Sequence, residues 1–279
     1  MRSFNIVSSL MLIVSAVAVA PAAIYTGDSS SKDVQLRIAL ANAFIKSSVK
    51  NCSNPFAIEW YKSDTTESIN HLKDNTVDIG ITYSPAAEQI AIKKGIAKDP
   101  AWYTWRNHFL LVGPKSNPAK ISHNQNIKSQ FSDIYTAAEN GTSDLPVRFL
   151  TRYDKSATNI KDSSLWLSIG HVPWATKYSP CWRSIPSPTA ARTSLSIEED
   201  VASKAVIFKA STDEPPDPLL NPAHILVGKN AKYEKMADRF AEWAIGSEGQ
   251  KVITGLKRMG SSCTPVRLLT GRRSSKMAV

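Results

Sequence analysis

Strand-like and helix-like patterns alternate along most of the chain. Apolar or alternating runs typical of strands cover residues 34–38, 56–61, 77–83, 109–112, 147–150, 206–208 and 223–227. Between them, apolar residues recur at helical spacing, most clearly at Met236, Phe240 and Trp243. Elements in this order predict an α/β fold with mostly parallel sheets flanked by helices.

Boundary residues mark several of these elements. The strand at 34–38 runs directly into a predicted helix over 39–49. Asp64 is followed by Glu67, the spacing of a capping box, and opens a helix after the strand at 56–61. Another helix is predicted to begin at Ser156 or just after it.

The start of the chain has the pattern of a secretory signal peptide over residues 1–22. Arg2 supplies a positive start, an apolar run covers 6–20, and small residues follow at Ala20 and Ala22. No later stretch is long and apolar enough for a membrane span. We therefore expect a secreted, extracellular protein.

The charge balance favours anionic partners. Lys and Arg number 34 against 24 Asp and Glu, which gives a formal net charge of +10. Part of this excess lies in residues 263–279, which we predict to be a loose basic tail. There is no basic helix with interleaved aromatic residues, so nucleic acid is not a predicted partner.

Cysteines and sequons add little that is specific. Cys52, Cys181 and Cys263 permit at most one internal disulfide and do not identify its partners. Asn51 and Asn140 each begin an Asn-x-Ser/Thr sequon and are predicted glycosylation sites, although so short a pattern also arises by chance.

Motifs for catalysis are absent. The sequence has no Gly-x-Ser-x-Gly elbow, no Gly-rich phosphate loop after a strand and no His-Glu-x-x-His pair. His108 and His224 lie within or beside apolar strands and are predicted to be structural. We therefore expect no enzyme activity, no cofactor and no metal, and a secreted hydrolase is only a weak alternative.

The segment at 149–159 is the best candidate for a binding site. A strand delivers Arg152 to its end, and a helix then opens near Ser156. Free N–H groups at a helix start, hydroxyl groups and a planar guanidinium together suit a small oxyanion. The alternative is that Ser156 only caps the helix and Arg152 pairs with Asp154 or solvent. A second hydroxyl-rich turn, at 62–66, also follows a strand. It suits an anion only if Asp64 turns back to cap its helix, because its carboxylate would otherwise repel the anion.

These segments resemble a known family. The motifs, in chain order, are Pro85-Ala86-Ala87-Glu88 after a strand, Phe109-Leu110-Leu111-Val112-Gly113-Pro114, an Arg-x-Asp-x-Ser-x-Thr element at 152–158, Asn221-Pro222-Ala223-His224 and Ser247-Glu248-Gly249-Gln250. Together they are similar to the tungstate-binding, periplasmic-type solute-binding proteins, in particular a secreted fungal branch with a PBP-like domain. The resemblance covers most of residues 34–175 and 204–258.

The resemblance implies a two-lobed, type II binding-protein fold. Crossover strands near 109–114 and 221–227 would hinge the lobes around a ligand. The implied segments are a first lobe at 23–112, a second lobe at 113–221, and a return to the first lobe at 222–262. Carried over by motif, the anion contacts are Thr65 in the first lobe and Arg152, Ser156 and Thr158 in the second.

The sequence also departs from the family. The family resemblance implies a Ser/Thr- or Gly-rich anion loop after the first strand, but the strand at 34–38 is followed at once by a predicted helix, which indicates a deletion of that loop. Ser29, Ser30 and Ser31 would lie before that strand. The stretch 188–193 lacks the Asp and Gly of a family turn, and the basic tail after Gly260 is unlike the family.

The leading hypothesis is a monomeric, secreted binding protein for a small tetrahedral oxyanion, tungstate or molybdate, with no catalysis. The alternative is a paralogue that kept the fold as a secreted interaction protein after losing the pocket. The missing first loop is the feature that favours this alternative.

Overall fold

The structure is a computed structural model, which describes residues 20–27, 36–51, 54–141, 147–151, 153–175, 180–184 and 205–255. The strands are β1 (Ala23–Tyr25), β2 (Ile58–Trp60), β3 (Ile79–Thr82), β4 (Trp102–His108), β5 (Leu110–Pro114), β6 (Phe149–Thr151), β7 (Trp182–Ser184), β8 (Ala205–Ala210) and β9 (Leu220–Val227). The helices are α1 (Leu36–Lys50), α2 (Thr65–Lys73), α3 (Pro85–Lys93), α4 (Ile127–Asn140), α5 (Ala157–Ser168), α6 (Glu234–Ile245) and α7 (Ser247–Gly255). Within these ranges, no helix has both the length and the apolar character that a membrane crossing requires.

The first strand is not where the sequence pattern predicted it. Residues 36–38 belong to α1, and the first described strand is β1, which pairs antiparallel with β2. Leu36, Leu40 and Phe44 are spaced four residues apart, so the alternation at 34–38 runs into a helical repeat. In chain order, Ser29–Ser31 therefore follow the first strand and precede the first helix, which is the position of the loop thought to be deleted.

A three-stranded sheet forms the centre of the first lobe. β9 lies between β3 and β4 and pairs antiparallel with both. Both of its faces are covered, and Ile225 and Leu226 have no exposed surface. On one face, Ile225 packs with Phe44 of α1 and Phe240 of α6, whose rings lie 5.0 Å apart. On the other face, Leu226 packs with Leu72 of α2. Burial of this apolar surface holds the helices against the sheet.

The second lobe has its own core around Trp166 of α5. Its indole has no exposed surface and packs against Phe131 of α4 and Phe149 of β6, with ring centroids 4.8 and 5.3 Å away. Cys181 lies in the same cluster as a free thiol, and burial raises its pKa to about 12. It is therefore protonated at physiological pH. The other two cysteines lie outside the described residues.

The two chain passages between the lobes meet at Phe109. β4 belongs to the first-lobe sheet, whereas β5 pairs with β8 in the second lobe. The Phe109 N–H donates to Leu219 O at 2.9 Å, and the Ser211 N–H donates to Phe109 O at 3.2 Å. The outward and return passages are thus bonded to each other. The residue limits of the lobes stay a prediction.

Strand pairing differs from the expectation in one respect. The predicted α/β architecture is present, but among the described pairs of strands only β6 and β7 run parallel. β8 and β9 pair antiparallel because these returning strands run against strands that left in the opposite direction, and β1 and β2 also pair antiparallel. β4 and α4 are elements that the sequence patterns did not identify.

Two glycines of α7 provide a matched test of packing against α6. A Cβ at Gly249 would collide with Trp243 O and would lie 2.6 Å from Ala244 Cα, whereas a Cβ at Gly255 would meet no atom within 4 Å. We expect Gly249→Ala to lower the free energy of unfolding by roughly 2–3 kcal/mol through overpacking. Gly255→Ala should leave it unchanged or raise it by up to about 1 kcal/mol. Urea denaturation followed by circular dichroism measures both, and equal effects would contradict this packing.

Candidate functional site

α2 begins shortly after β2 at a turn rich in hydroxyl groups. Asp64 Oδ1 accepts a hydrogen bond from Glu67 N–H at 2.9 Å, so Asp64 caps the helix as predicted. Thr65, the first helical residue, is buried, and the hydroxyls of Ser63 and Ser68 lie 2.7 Å apart. Since the first N–H groups of a helix have no partners within it, this turn offers neutral donors.

α5 begins shortly after β6 with a cap that uses two side chains. Ser156 Oγ accepts from Asn159 N–H at 3.3 Å. Asp154 Oδ1 accepts from Ser156 N–H at 3.0 Å and also from the Ser156 hydroxyl. The single hydroxyl proton of Ser156 is therefore given to Asp154, while its oxygen caps the helix, as the alternative interpretation expected. The half-buried Thr158 and the first-turn N–H groups are what this helix start offers to a ligand.

The two helix starts lie against each other across the lobes. The Thr66 hydroxyl in the first turn of α2 donates to Lys155 O, just before α5, at 3.2 Å. Thr65 is adjacent to one end of this bond, and Ser156 is adjacent to the other. The structure thus brings together the hydroxyl-rich turns that the sequence singled out. We call this place the helix-start junction, comprising residues 63–66 and 154–158.

The remaining predicted residues are only partly described. Arg152 lies outside the described residues, between Thr151 and Tyr153. Asn51 and Asn140 are exposed at the ends of α1 and α4, but other residues of both sequons lie outside the described ranges. Glycosylation there stays a prediction.

Each helix start has a carboxylate of its own. Asp64 is turned toward Glu67 N–H, which meets the condition set for tolerating a nearby anion. Asp154 is likewise turned toward the backbone and hydroxyl of Ser156. Two carboxylates beside the junction raise the cost of placing a dianion there, so the junction needs a fixed cation to hold one.

Asp162 supports the end of β6 from the next turn of α5. Its Oδ2 accepts from the Thr151 hydroxyl at 2.6 Å, and the Ser163 hydroxyl donates to its Oδ1 at 3.3 Å. Burial raises the pKa of Asp162 to about 6, against the effect of these hydrogen bonds and with a further raising contribution from Asp154. No local motif indicates this contact, because it joins residues on separate elements.

A cavity of about 1040 Å³ lies within the first lobe. It runs between β2 and β3, which do not pair with each other, because β2 pairs with β1 and β3 with β9. Phe44, Trp105 and Phe240 are among its apolar walls. Its lining also carries hydrogen-bond donors, among them Lys62, Ser68 and Lys232, and it shares Ser63 with the helix-start junction. The lining residues of the cavity all belong to the first lobe, so the helix-start junction is the better candidate for a ligand held by both lobes.

The two histidines predicted to be structural do have partners. His224 Nδ1 lies 2.9 Å from Glu88 Oε2, and the 1% exposed Glu88 also accepts from the Thr82 hydroxyl at 2.8 Å. His108 Nε2 lies 2.8 Å from Asp213 Oδ1. In the described part of the chain, no group of His, Cys, Asp and Glu has the arrangement of a metal site.

The fold is that of the two-lobed, type II periplasmic binding proteins. The sequence profile of the PBP superfamily domain matches residues 20–248, and the chain belongs to this family.

Three relatives illustrate the likeness. The tungstate-binding protein TupA of Peptoclostridium acidaminophilum is 25% identical over 207 residues, 68% of this chain and 67% of that protein. The crystal structure of a periplasmic protein provisionally described as metal-binding is 49% identical, with a TM-score of 0.75, over 84% of this chain and 93% of that one. TupA from Desulfovibrio alaskensis G20 is 20% identical, with a TM-score of 0.59, over 80% and 89% of the two chains, and has the same fold.

These likenesses confirm the predicted family and the type II, two-lobed fold. Two of the relatives are named for binding tungstate, which is an oxyanion. All three relatives are named as binding proteins, and none of these names denotes an enzyme.

Asp162→Asn tests the buried carboxyl beside the junction. Its folded-state pKa of about 6 lies above the ordinary 3.8, so the folded chain holds this proton more tightly than the unfolded chain. The resulting stability is present below the ordinary pKa and is lost as the pH rises through about 6. Relative to Asp162→Asn, the wild type should lose up to about 3 kcal/mol of unfolding free energy between roughly pH 4 and pH 7.

Urea denaturation of both proteins at each pH measures this difference. The asparagine variant keeps an acceptor for the Thr151 hydroxyl, so it isolates the charge. A difference that does not change with pH would contradict the raised pKa.

Proposed function

We propose that the protein binds a tetrahedral oxyanion of the tungstate or molybdate class between its lobes, outside the cytosol, and carries out no catalysis. The observation that carries this proposal is the helix-start junction, where Thr66 and Lys155 join two anion-favouring helix starts from different lobes. One helix start is a common structural feature, but two from different lobes that lie against each other favour a ligand held by both.

The chemistry assigns different roles to the four proposed contacts. A tetrahedral dianion spreads its charge over four oxygens, so it needs several neutral donors and one fixed cation. Thr65 and Thr158 supply hydroxyls beside first-turn N–H groups, and Arg152 supplies the planar cation. Ser156 contributes by shaping the turn, since its hydroxyl proton is given to Asp154.

The names of the relatives support this ligand class. One is tungstate-binding, and the relative at 49% identity is provisionally described as metal-binding. Tungstate and molybdate reconcile the two descriptions, because they are metal-containing anions. Neutral donors around a helix start suit such an anion, whereas a bare metal cation requires carboxylate, imidazole or thiolate ligands.

The binding-deficient alternative has lost its main support. It depended on the apparent deletion of the loop after the first strand, and Ser29–Ser31 now follow β1 in chain order. The other two departures, at 188–193 and after Gly260, lie outside the described residues. The same ligand experiment decides between binding and its loss.

The first prediction for this function is stabilisation by ligand. At a hundredfold excess over Kd, a bound oxyanion should raise the free energy of unfolding by about 2.7 kcal/mol. Thermal denaturation and isothermal titration with tungstate, molybdate, sulfate and phosphate measure this effect and rank the ligands. No melting shift with any of the four at millimolar concentration would exclude the binding function and favour the binding-deficient alternative.

The second prediction concerns Arg152. Arg152→Ala should abolish anion-dependent stabilisation, and Arg152→Lys should weaken it, because an ammonium does not reproduce two parallel hydrogen bonds. Arg148→Ala is the matched control, since Arg148 is exposed just before β6. If Arg148→Ala and Arg152→Ala reduce tungstate affinity equally, the effect comes from overall charge and Arg152 is not a contact.

A further inference from the structure

Thr66, like Ser156, gives its hydroxyl proton to an acceptor within the protein. It donates its proton to Lys155 O in the second lobe, at 3.2 Å, and so has no proton left for a ligand. Its place in α2 is fixed by the Asp64 cap on Glu67 N–H. The donor is therefore held by the first lobe, and the acceptor belongs to the second.

The acceptor is also held in place. Lys155 O and Ser156 N–H belong to one planar peptide unit, so the orientation of one determines that of the other. Ser156 N–H donates to Asp154 Oδ1 at 3.0 Å. The peptide between Lys155 and Ser156 is thus bound at both ends, by Asp154 within its own turn and by Thr66 from the other lobe.

Helix α5 also makes contact at the hinge between the lobes. Lys161, one turn further along α5, points its Nζ at Leu220 O at 3.4 Å and lies 6.0 Å from the centre of the Phe109 ring. The turn before α5 therefore contacts the first lobe, and α5 itself contacts the hinge passages near its middle. A change in the angle between the lobes would have to break the bond at Lys155 O while the contact at Leu220 stays near the pivot.

We propose that Thr66 is a positioning residue that latches the two lobes together and orients the Lys155–Ser156 peptide at the helix-start junction. The latch acts only when the lobes are closed, so it slows the release of a bound oxyanion without contacting it. The part of this inference that concerns ligand release rests on the proposed function.

The test without ligand is amide hydrogen exchange of the full-length protein. Thr66→Val removes the donor at nearly constant volume, and Thr66→Ser restores a hydroxyl. We expect the Ser156 amide to exchange roughly 2- to 10-fold faster in Thr66→Val, the range set by one hydrogen bond, and at the wild-type rate in Thr66→Ser. The amide of Ile81 in β3 should be unaffected in both.

Thr254→Val is the matched control for the substitution itself. The Thr254 hydroxyl donates to Gln250 O within α7, at 2.8 Å, so its loss does not touch the junction. Equal Ser156 exchange in wild type and Thr66→Val, or an equal increase in Thr254→Val, would overturn the latch.

The test with ligand separates release from capture. With tungstate as the probe, Thr66→Val should raise the dissociation rate roughly 2- to 10-fold and leave the association rate and the order of oxyanion affinities unchanged. Thr66→Ser should restore the wild-type rate. A changed order of affinities would instead make Thr66 a direct ligand contact and overturn the positioning role. If the wild type binds no oxyanion, the proposed function fails, while hydrogen exchange still decides whether the latch exists.

Discussion

The pairing of β9 with both β3 and β4 is the constraint on which the rest of the structure depends. These ladders tie together the chain before and after the second lobe, and Ile225 and Leu226 bury both faces of the central strand. β9 in turn supports α2, because Leu226 packs with Leu72. The position of the α2 start, and thus of half the candidate site, follows from a strand that lies far away in sequence.

Under the proposed function, the helix-start junction has to accept an anion and also to be stable without one. Helix starts carry partial positive charge, and unsatisfied N–H groups there are costly when water is excluded. The carboxylates of Asp64 and Asp154 each accept a hydrogen bond from one of the backbone N–H groups at these helix starts. The same carboxylates repel an incoming anion, so affinity depends on a balance between hydroxyl and N–H donors, the capping acids and the proposed guanidinium. Such a balance favours selectivity by geometry over indiscriminate attraction of any negative charge.

The parts of the fold predicted from sequence are those with strong local signals. The caps at Asp64 and Ser156 follow from spacing alone, and α6 follows from a long apolar face. β4 was missed because aromatic and polar residues mix along it without an apolar run. α4 was missed although Ile127, Phe131 and Ile134 have helical spacing, so a usable signal existed.

The error at the first strand had a larger cost. β1 has only three residues, which is too few for a recognisable pattern. Residues 34–38 alternate like a strand, although 36–38 belong to α1. Because the first strand was predicted at 34–38, Ser29–Ser31 were expected to lie before it, and the anion loop of the family was inferred to be deleted. That inference weakened the hypothesis of oxyanion binding. At the junction, individual residues were predicted from motifs, but the contacts of Thr66 with Lys155 O and of Asp162 with Thr151 join separate elements. No local pattern encodes them.

The first lobe is formed by two separate segments of the chain, and this affects how the protein folds during its synthesis on the ribosome. Chains emerge from the amino end, so β3 and β4 are synthesised long before β9, the strand that lies between them. Until residue 227 has emerged, both strands present unpaired edges and an apolar face to the surroundings. The second lobe, which is continuous in sequence between the two passages at Phe109, has no such delay. Nascent chains therefore pass through a stage with one complete lobe and one open template, in which chaperone binding or mispairing between neighbouring chains competes with the arrival of β9.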